Sequence, residues 1–116
     1  MKIGAIRDLL NAKIVCGEDM LDNDVFSACG SDMMSDVLAY VKDQAVLLTG
    51  LVNSQVIRTA EMMDMVCIVF VRGKTPDDTI IKLAEMRDIT LLSTPYRMFT
   101  ACGLLYSNGL GGGCNV

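Results

Sequence analysis

Hydroxyls, glycines and two cations follow three short apolar runs of the sequence. They are Thr49 and Gly50 after the first run, Arg72, Gly73 and Lys74 after the second, and Ser93 and Thr94 after the third. Hydroxyl groups and backbone N–H groups can donate hydrogen bonds to an anion, and an Arg or Lys charge strengthens such bonds. If the fold brings these residues together, the chemistry that they suit is the binding of a phosphate or a carboxylate.

The three apolar runs themselves predict buried strands. AVLLTG (45–50), VCIVFVRG (66–73) and ITLLSTP (89–95) are short, rich in β-branched residues and bounded by small or turn-forming residues. Such runs are typical of strands that are buried on both faces of a parallel sheet. We expect strands over 45–49, 66–71 and 89–93 that pair in parallel.

Each of these runs is followed by a helical pattern with its own start signal. Asn53 or Ser54 can cap the first helix, Thr75 with Pro76 opens the second, and Thr94 with Pro95 opens the third. Asn, Ser and Thr side chains accept hydrogen bonds from the free N–H groups of a first turn, and proline suits the first helical position. Gly109 is a plausible stop for the last helix.

The first third of the chain predicts two helices and two strands. Ile3, Ile6, Leu9 and Leu10 form a short amphipathic pattern, and the segments AKIVC and VFSAC are strand candidates on either side of an acidic loop. A helix from Ser31 to Lys42 follows, capped by Ser31 or Asp32. Its apolar stripe is Met34, Val37, Leu38 and Val41. Alternating strands and helices of these lengths predict an α/β fold: a single compact domain with a mostly parallel sheet covered by helices.

A short internal repeat agrees with a recurring strand and helix unit. AEMMD at 60–64 returns as AEMRD at 84–88. The spacing suits one helix plus one strand. Duplication, a shared chemistry of helix ends and chance each explain a five-residue match.

In such a fold the carboxyl ends of the strands meet at one edge, where ligands usually bind. We therefore take Thr49, Gly50, Arg72, Gly73, Ser93 and Thr94 as candidate ligand-binding residues. The sequence contains neither G-x-x-x-x-G-K-[ST] nor G-x-G-x-x-G. Ligand binding and simple helix capping both explain these residue types.

Catalysis and metal binding have little support in the sequence. There is no histidine, and no pair of carboxylates, lysines or thiols has the spacing of a known catalytic set. Asp32 and Asp36 are one turn apart, but a helix cap and a solvated helix face account for them. We predict no catalytic residue, no metal site and no cofactor, and hence no enzyme.

The five cysteines favour a reduced thiol set. Cys16, Cys29, Cys67, Cys102 and Cys114 are widely spaced without a C-x-x-C pair. We expect Cys16, Cys67 and Cys102 to pack as small hydrophobic residues. Cys114 follows three glycines, and we expect residues 1–110 to form the domain and 111–116 a flexible tail.

The composition of the chain limits the classes of partner that it can have. A chain of 116 residues is long enough for one stable domain, and its net charge of −4 without a basic cluster argues against nucleic acid. No apolar run is long enough for a membrane span, and the amino terminus has charges within its apolar pattern, so we expect a cytoplasmic protein. Because 52% of the residues are apolar and 21% charged, we also expect a homodimer formed by self-complementary apolar surface.

Several segments together resemble a known family. ACGSDMMSDVLAYV, LLTG, VIRTAEMM, VFVRGKTPDDTIIKLAE and especially LLSTPYRMFTAC look like the DRTGG domain, and the likeness extends from Lys2 to Leu110. Domains of this family resemble the amino-terminal domain of HPr kinase/phosphorylase. They occur beside CBS domains in regulated pyrophosphatases, in phosphotransacetylase-like proteins, and alone near hydrogenase genes.

The resemblance implies a regulatory or ligand-sensing role without established catalysis. The Asp-Arg-Thr-Gly-Gly run of the family is missing, and Thr49-Gly50 and Arg72-Gly73 stand by position where its characteristic polar and glycine residues fall. Two functions follow as hypotheses. One is a sensor of a small anion or nucleotide at the strand ends, and the other is an interaction module for a partner enzyme such as an iron hydrogenase complex. The nine methionines favour the second, because Met-rich surfaces adapt to partners.

Overall fold

A computed structural model describes residues 1–40 and 44–112, which form five strands and five helices. The strands are β1 Lys13–Cys16, β2 Ser27–Gly30, β3 Ala45–Thr49, β4 Cys67–Phe70 and β5 Thr90–Ser93. The helices are α1 Ile3–Leu9, α2 Met34–Tyr40, α3 Ser54–Met62, α4 Asp78–Met86 and α5 Met98–Ser107. A short 3-10 turn, Glu18–Met20, lies in the predicted acidic loop.

The strands form one sheet in the order β1-β5-β4-β3-β2. β2, β3, β4 and β5 pair in parallel, and β1 is an antiparallel edge strand beside β5. Every residue of β3, β4 and β5 is buried. The predicted α/β fold with parallel pairing of the three apolar runs is therefore confirmed, with two of the strands shorter than predicted by one residue or more.

Helices cover both faces of the sheet and form two cores. One core lies between the sheet and α2, α3 and α4, and it includes Phe70, Leu47 and Ile57. The other lies under α1 and α5 and includes Ile6 and Leu105. Since side chains alternate along a strand, each central strand supplies residues to both cores.

Helix α3 begins as predicted, whereas α4 and α5 begin later than predicted. Asn53 caps α3 by accepting a hydrogen bond from Val56 N. The prediction of Thr75 as the cap of α4 is wrong, because the Asp77 side chain accepts from Ile80 N and the helix begins at Asp78. Aspartate is the stronger capping residue of the two.

For α5, Thr94 with Pro95 does not open the helix, which begins at Met98. The Thr94 hydroxyl is engaged elsewhere: it donates to Leu10 O at 2.6 Å and accepts from Tyr96 N at 3.2 Å. This turn precedes the helix and delays its first residue. Gly109 does follow the helix end, with φ of 100°.

The internal repeat corresponds to two identical helix ends. In α3, Asp64 has φ of 55° and Met65 N donates to Ala60 O, and in α4 Asp88 has φ of 56° and Ile89 N donates to Ala84 O. A left-handed residue followed by this backward hydrogen bond is the Schellman motif. Both copies of the five-residue match therefore end a helix in the same way, as a shared helix-end chemistry requires.

The buried side chains of helix α2 differ in part from the predicted apolar stripe. Met34 and Val37 are buried, but Leu38 is 42% exposed, so the predicted place of Leu38 on the buried face is wrong. Ser31 Oγ accepts from Met33 N before the helix. Val41 and Lys42 at the predicted helix end lie outside the described residues, as do Gly113 to Val116 with Cys114.

Candidate functional site

The candidate residues lie along the carboxyl edge of the three central strands. Thr49 pairs with Phe70, and Phe70 pairs with Ser93, so the last residues of β3, β4 and β5 form one row. The loops that follow are linked to one another, because Val71 N donates to Thr49 O and Gly73 N donates to Thr94 O. The edge is therefore a single connected surface, as the sequence predicted for parallel strands.

Asp32 lies at this edge and bonds to the loop after β3, so its predicted role as the cap of α2 is wrong. Its Oδ1 accepts two hydrogen bonds, from Gly50 N at 2.6 Å and from Thr49 Oγ1 at 3.0 Å. Thr49 Oγ1 in turn accepts from Leu51 N at 3.1 Å. The Asp32 carboxylate thus joins the loop after β2 to the loop after β3. The sequence signal that could have identified this position is an acidic residue two positions after the end of a parallel strand, here β2.

Arg72 is the principal cation of the edge. Its backbone has a positive φ of 62°, a conformation that costs a non-glycine residue of the order of 1 kcal/mol or more. The loop holds it there, since Arg72 N donates to Tyr96 O at 2.8 Å. The guanidinium lies against the α-carbon of Gly50, where a β-carbon would overlap with it. Gly50 is therefore required for the position of this cation.

The backbone donors beyond Arg72 are used within the chain. Gly73, with φ of 70°, donates its N–H to Thr94 O at 2.7 Å, and Ser93 Oγ donates to Lys74 O at 2.7 Å. These bonds tie the loop after β4 to the loop after β5. They shape the edge and leave the exposed side chains of Arg72 and Lys74 to face solvent.

Thr94 lies on the other face of the sheet from Thr49 and Ser93. It is fully buried, and its hydroxyl bonds connect the end of β5 to the end of α1 through Leu10 O. Its side chain has a structural role in this conformation.

Electrostatics at the edge favour an ionised Asp32. The hydrogen bond from the Gly50 N–H has the largest effect and lowers the pKa of this carboxyl. Burial has the second-largest effect and opposes it, and the Thr49 hydroxyl and the charges of Arg72 and Lys74 lower the pKa further, so that the pKa is lowered on balance. Asp32 and Arg72 are close enough to interact, yet within the described ranges they form no ion pair. The edge therefore presents separate negative and positive groups.

Two cavities lie away from this edge. One of about 540 Å³ is at the amino ends of the strands, beside the Arg87–Glu61 ion pair, and another of about 440 Å³ is an apolar groove beside α5. The carboxyl edge offers charge and hydrogen bonds on an open surface. A ligand there would be bound by charge-assisted hydrogen bonds more than by burial.

Across residues 1–40 and 44–112, no group of three Cys, Asp or Glu side chains is placed to hold a metal ion. Among the helices of these same ranges, none is long and apolar enough to cross a membrane.

The fold and this edge define a small α/β domain with a three-strand parallel centre and a charged loop surface. The chain belongs to the DRTGG domain family, whose model matches residues 5–107. The resemblance seen in the sequence is thereby confirmed. The chain matches no curated protein.

A solved structure is similar to the whole domain. It contains the CBS and DRTGG domains of the regulatory region of a Clostridium perfringens pyrophosphatase, complexed with the activator diadenosine tetraphosphate. The TM-score is 0.73 and the identity 22%, and the match covers 90% of this chain and 45% of that one. At this identity the likeness shows the fold, and the chain spans about half of its neighbour's length.

Proposed function

We propose that this protein is a non-catalytic regulatory domain that senses a small anion or a nucleotide at the carboxyl edge of its sheet. The observation that carries the proposal is the placement of Arg72, which the Tyr96 carbonyl holds in a left-handed conformation with its guanidinium against Gly50. Strained residues that the surrounding structure holds in place are concentrated at binding sites. The edge is also where α/β proteins commonly bind ligands.

The comparisons support the regulatory class. A DRTGG domain forms part of the regulatory region of the similar pyrophosphatase, which was solved with a nucleotide activator. In this chain we assign the ligand contacts to the exposed cations Arg72 and Lys74. The strand ends and loops that position these cations contain Thr49, Gly50, Gly73, Ser93 and Thr94.

The test is ADP binding by calorimetry, comparing the wild type with Arg72→Gln. Glutamine keeps a polar side chain on a non-glycine backbone, although a shorter one, and loses the charge. We expect a loss of about 1.5 to 3 kcal/mol of binding free energy, the value of a charge-assisted hydrogen bond. Wild-type affinity should also fall as salt rises, because both cations are exposed.

The matched control is Arg58→Gln on α3, which removes the same charge from an exposed helix position. It should bind ADP as the wild type does. Equal affinities for Arg72→Gln and the wild type, or an equal loss in both variants, would place ligand binding away from this edge.

A second function, docking of a partner enzyme, is favoured by the apolar groove between α5 and β2. Phe99 and Tyr106 line it and are 90% and 75% exposed. Exposed aromatic residues are common at protein interfaces. This surface is separate from Arg72, so the Arg72→Gln variant distinguishes the two functions: partner binding through the groove would survive that change.

A further inference from the structure

We propose that Asp32 faces the ligand and selects for a hydroxyl group beside the anionic group, as the ribose hydroxyls stand beside the phosphates of a nucleotide. This inference rests on the proposed function, because it describes the ligand of the same edge. Asp32 adds a hydrogen-bond acceptor to a site whose other ligand contacts are the cations Arg72 and Lys74.

The two oxygens of Asp32 have different surroundings. Oδ1 accepts both hydrogen bonds, from Gly50 N and from Thr49 Oγ1. Oδ2 has no hydrogen-bond partner in the described part of the chain, and the residue is exposed. The loop thus fixes the carboxylate through one oxygen and presents the other to solvent.

Gly50 lies between the two charged groups. Its N–H binds the Asp32 carboxylate, and its α-carbon contacts the Arg72 guanidinium. Both groups therefore lie within reach of one small ligand. An ionised carboxylate only accepts hydrogen bonds, so it suits a ligand hydroxyl or N–H and repels a second anion.

This arrangement predicts a ligand with two kinds of group. Inorganic phosphate or pyrophosphate would be attracted by Arg72 and Lys74 but repelled by Asp32. A phosphorylated ribose would place an anion on the cations and a hydroxyl on Oδ2. The same chemistry is present in a sugar phosphate and in a nucleotide.

The key variant is Asp32→Asn. The asparagine oxygen can accept both bonds from Gly50 and Thr49, so the loops stay joined, while its NH₂ group replaces Oδ2 and turns the ligand-facing acceptor into a donor. Asp36→Asn is the matched control, since it removes the same charge four residues further along the chain, at an exposed position of α2. Thermal unfolding checks that both variants remain folded.

The experiment is calorimetric titration of the full chain with ADP, 2′,3′-dideoxy-ADP, ribose 5-phosphate and pyrophosphate. We expect the wild type to prefer ADP over dideoxy-ADP by about tenfold or more, the value of one hydrogen bond to a charged group. Asp32→Asn should lose that preference and bind pyrophosphate more tightly, and Asp36→Asn should change neither. Binding of ribose 5-phosphate with the affinity of ADP would identify the sugar phosphate as the recognised part.

Two results would overturn the inference in distinguishable ways. If ADP binds through Arg72 but dideoxy-ADP binds equally well and Asp32→Asn changes nothing, Asp32 only joins the two loops and the proposed function stands. If none of the four compounds binds the wild type, the proposed function and the inference fail together.

Discussion

At the scale of single residues, burial makes the described thiols poor nucleophiles. Burial raises the pKa of Cys67 far above its usual value, and it is also the largest cause of the raised pKa of Cys16, Cys29 and Cys102. Because the thiolate is the reactive form, none of these four is activated at neutral pH. They act as small hydrophobic residues, as predicted for Cys16, Cys67 and Cys102. Cys16 and Cys67 are buried, and Cys102 is half-buried against the core.

This makes a prediction for alkylation by iodoacetamide, followed at each site by peptide mass spectrometry. Native Cys67 should stay unlabelled at pH 7.5, and Cys29 and Cys102 should react more slowly than free cysteine. Raising the pH should keep increasing the rates at Cys29 and Cys102 after the rate of free cysteine has levelled off near its pKa of about 8.5, because their pKa values are higher. Urea-unfolded protein, in which all sites should react, is the control. Rapid labelling of native Cys67 would contradict the prediction.

At the scale of elements, the chain requires a glycine directly after β1, where its backbone passes close to β5. Gly17 directly follows β1 and has φ of 83°, and its carbonyl accepts a hydrogen bond from Thr90 Oγ1 at 3.2 Å. A β-carbon at Gly17 would lie 2.7 Å from the α-carbon of Thr90. The close approach of two backbones requires glycine here.

Gly17→Ala should therefore lower the free energy of unfolding by about 2 to 4 kcal/mol, from the left-handed backbone and the overlap with β5 together. Urea denaturation measures the change. Gly103→Ala is the matched control, because Gly103 lies within α5 and a β-carbon there has nothing within 4 Å. That substitution should raise stability by about 0.5 to 1 kcal/mol through helix propensity. Similar effects of the two substitutions would refute the role of Gly17.

At the scale of the whole molecule, exposed apolar residues favour self-association, and we propose a homodimer through the outer face of α5. Phe99 and Tyr106 stand out from this face beside the groove, while Leu104 is half-buried against the core. Met33, directly before α2, and Leu38 on α2 add further exposed apolar surface. A two-fold pair is the commonest way to cover such surface.

Light scattering in reducing buffer should give twice the chain mass of 12.6 kDa. Tyr106→Glu should return the mass to that of one chain, because an ionised carboxylate in an apolar interface is unfavourable. Met86→Glu changes a residue on α4 with similar exposure, 72% against 75%, and should leave the dimer intact. A single-chain mass for the wild type would rule out the proposed dimer.

The amino-acid sequence by itself determined the layered α/β fold. Buried runs such as 67–71 are apolar throughout because both faces of a central strand are covered. Helix caps such as Asn53 depend on local hydrogen bonds. The edge at which Thr49, Arg72 and Ser93 meet also followed, since parallel strands bring their carboxyl ends together.

Only the tertiary structure decided what each edge residue does. Asp32 and Gly50 are 18 residues apart, Thr94 and Leu10 are 84 apart, and no local pattern shows which carbonyl or amide a side chain reaches across the sheet. The later start of α5 has the same cause, because a tertiary bond occupies Thr94, whereas the later start of α4 reflects a competition between two local caps that Asp77 wins. Fold class depends on patterns repeated along many residues, whereas a binding surface depends on a few long-range contacts between individual atoms.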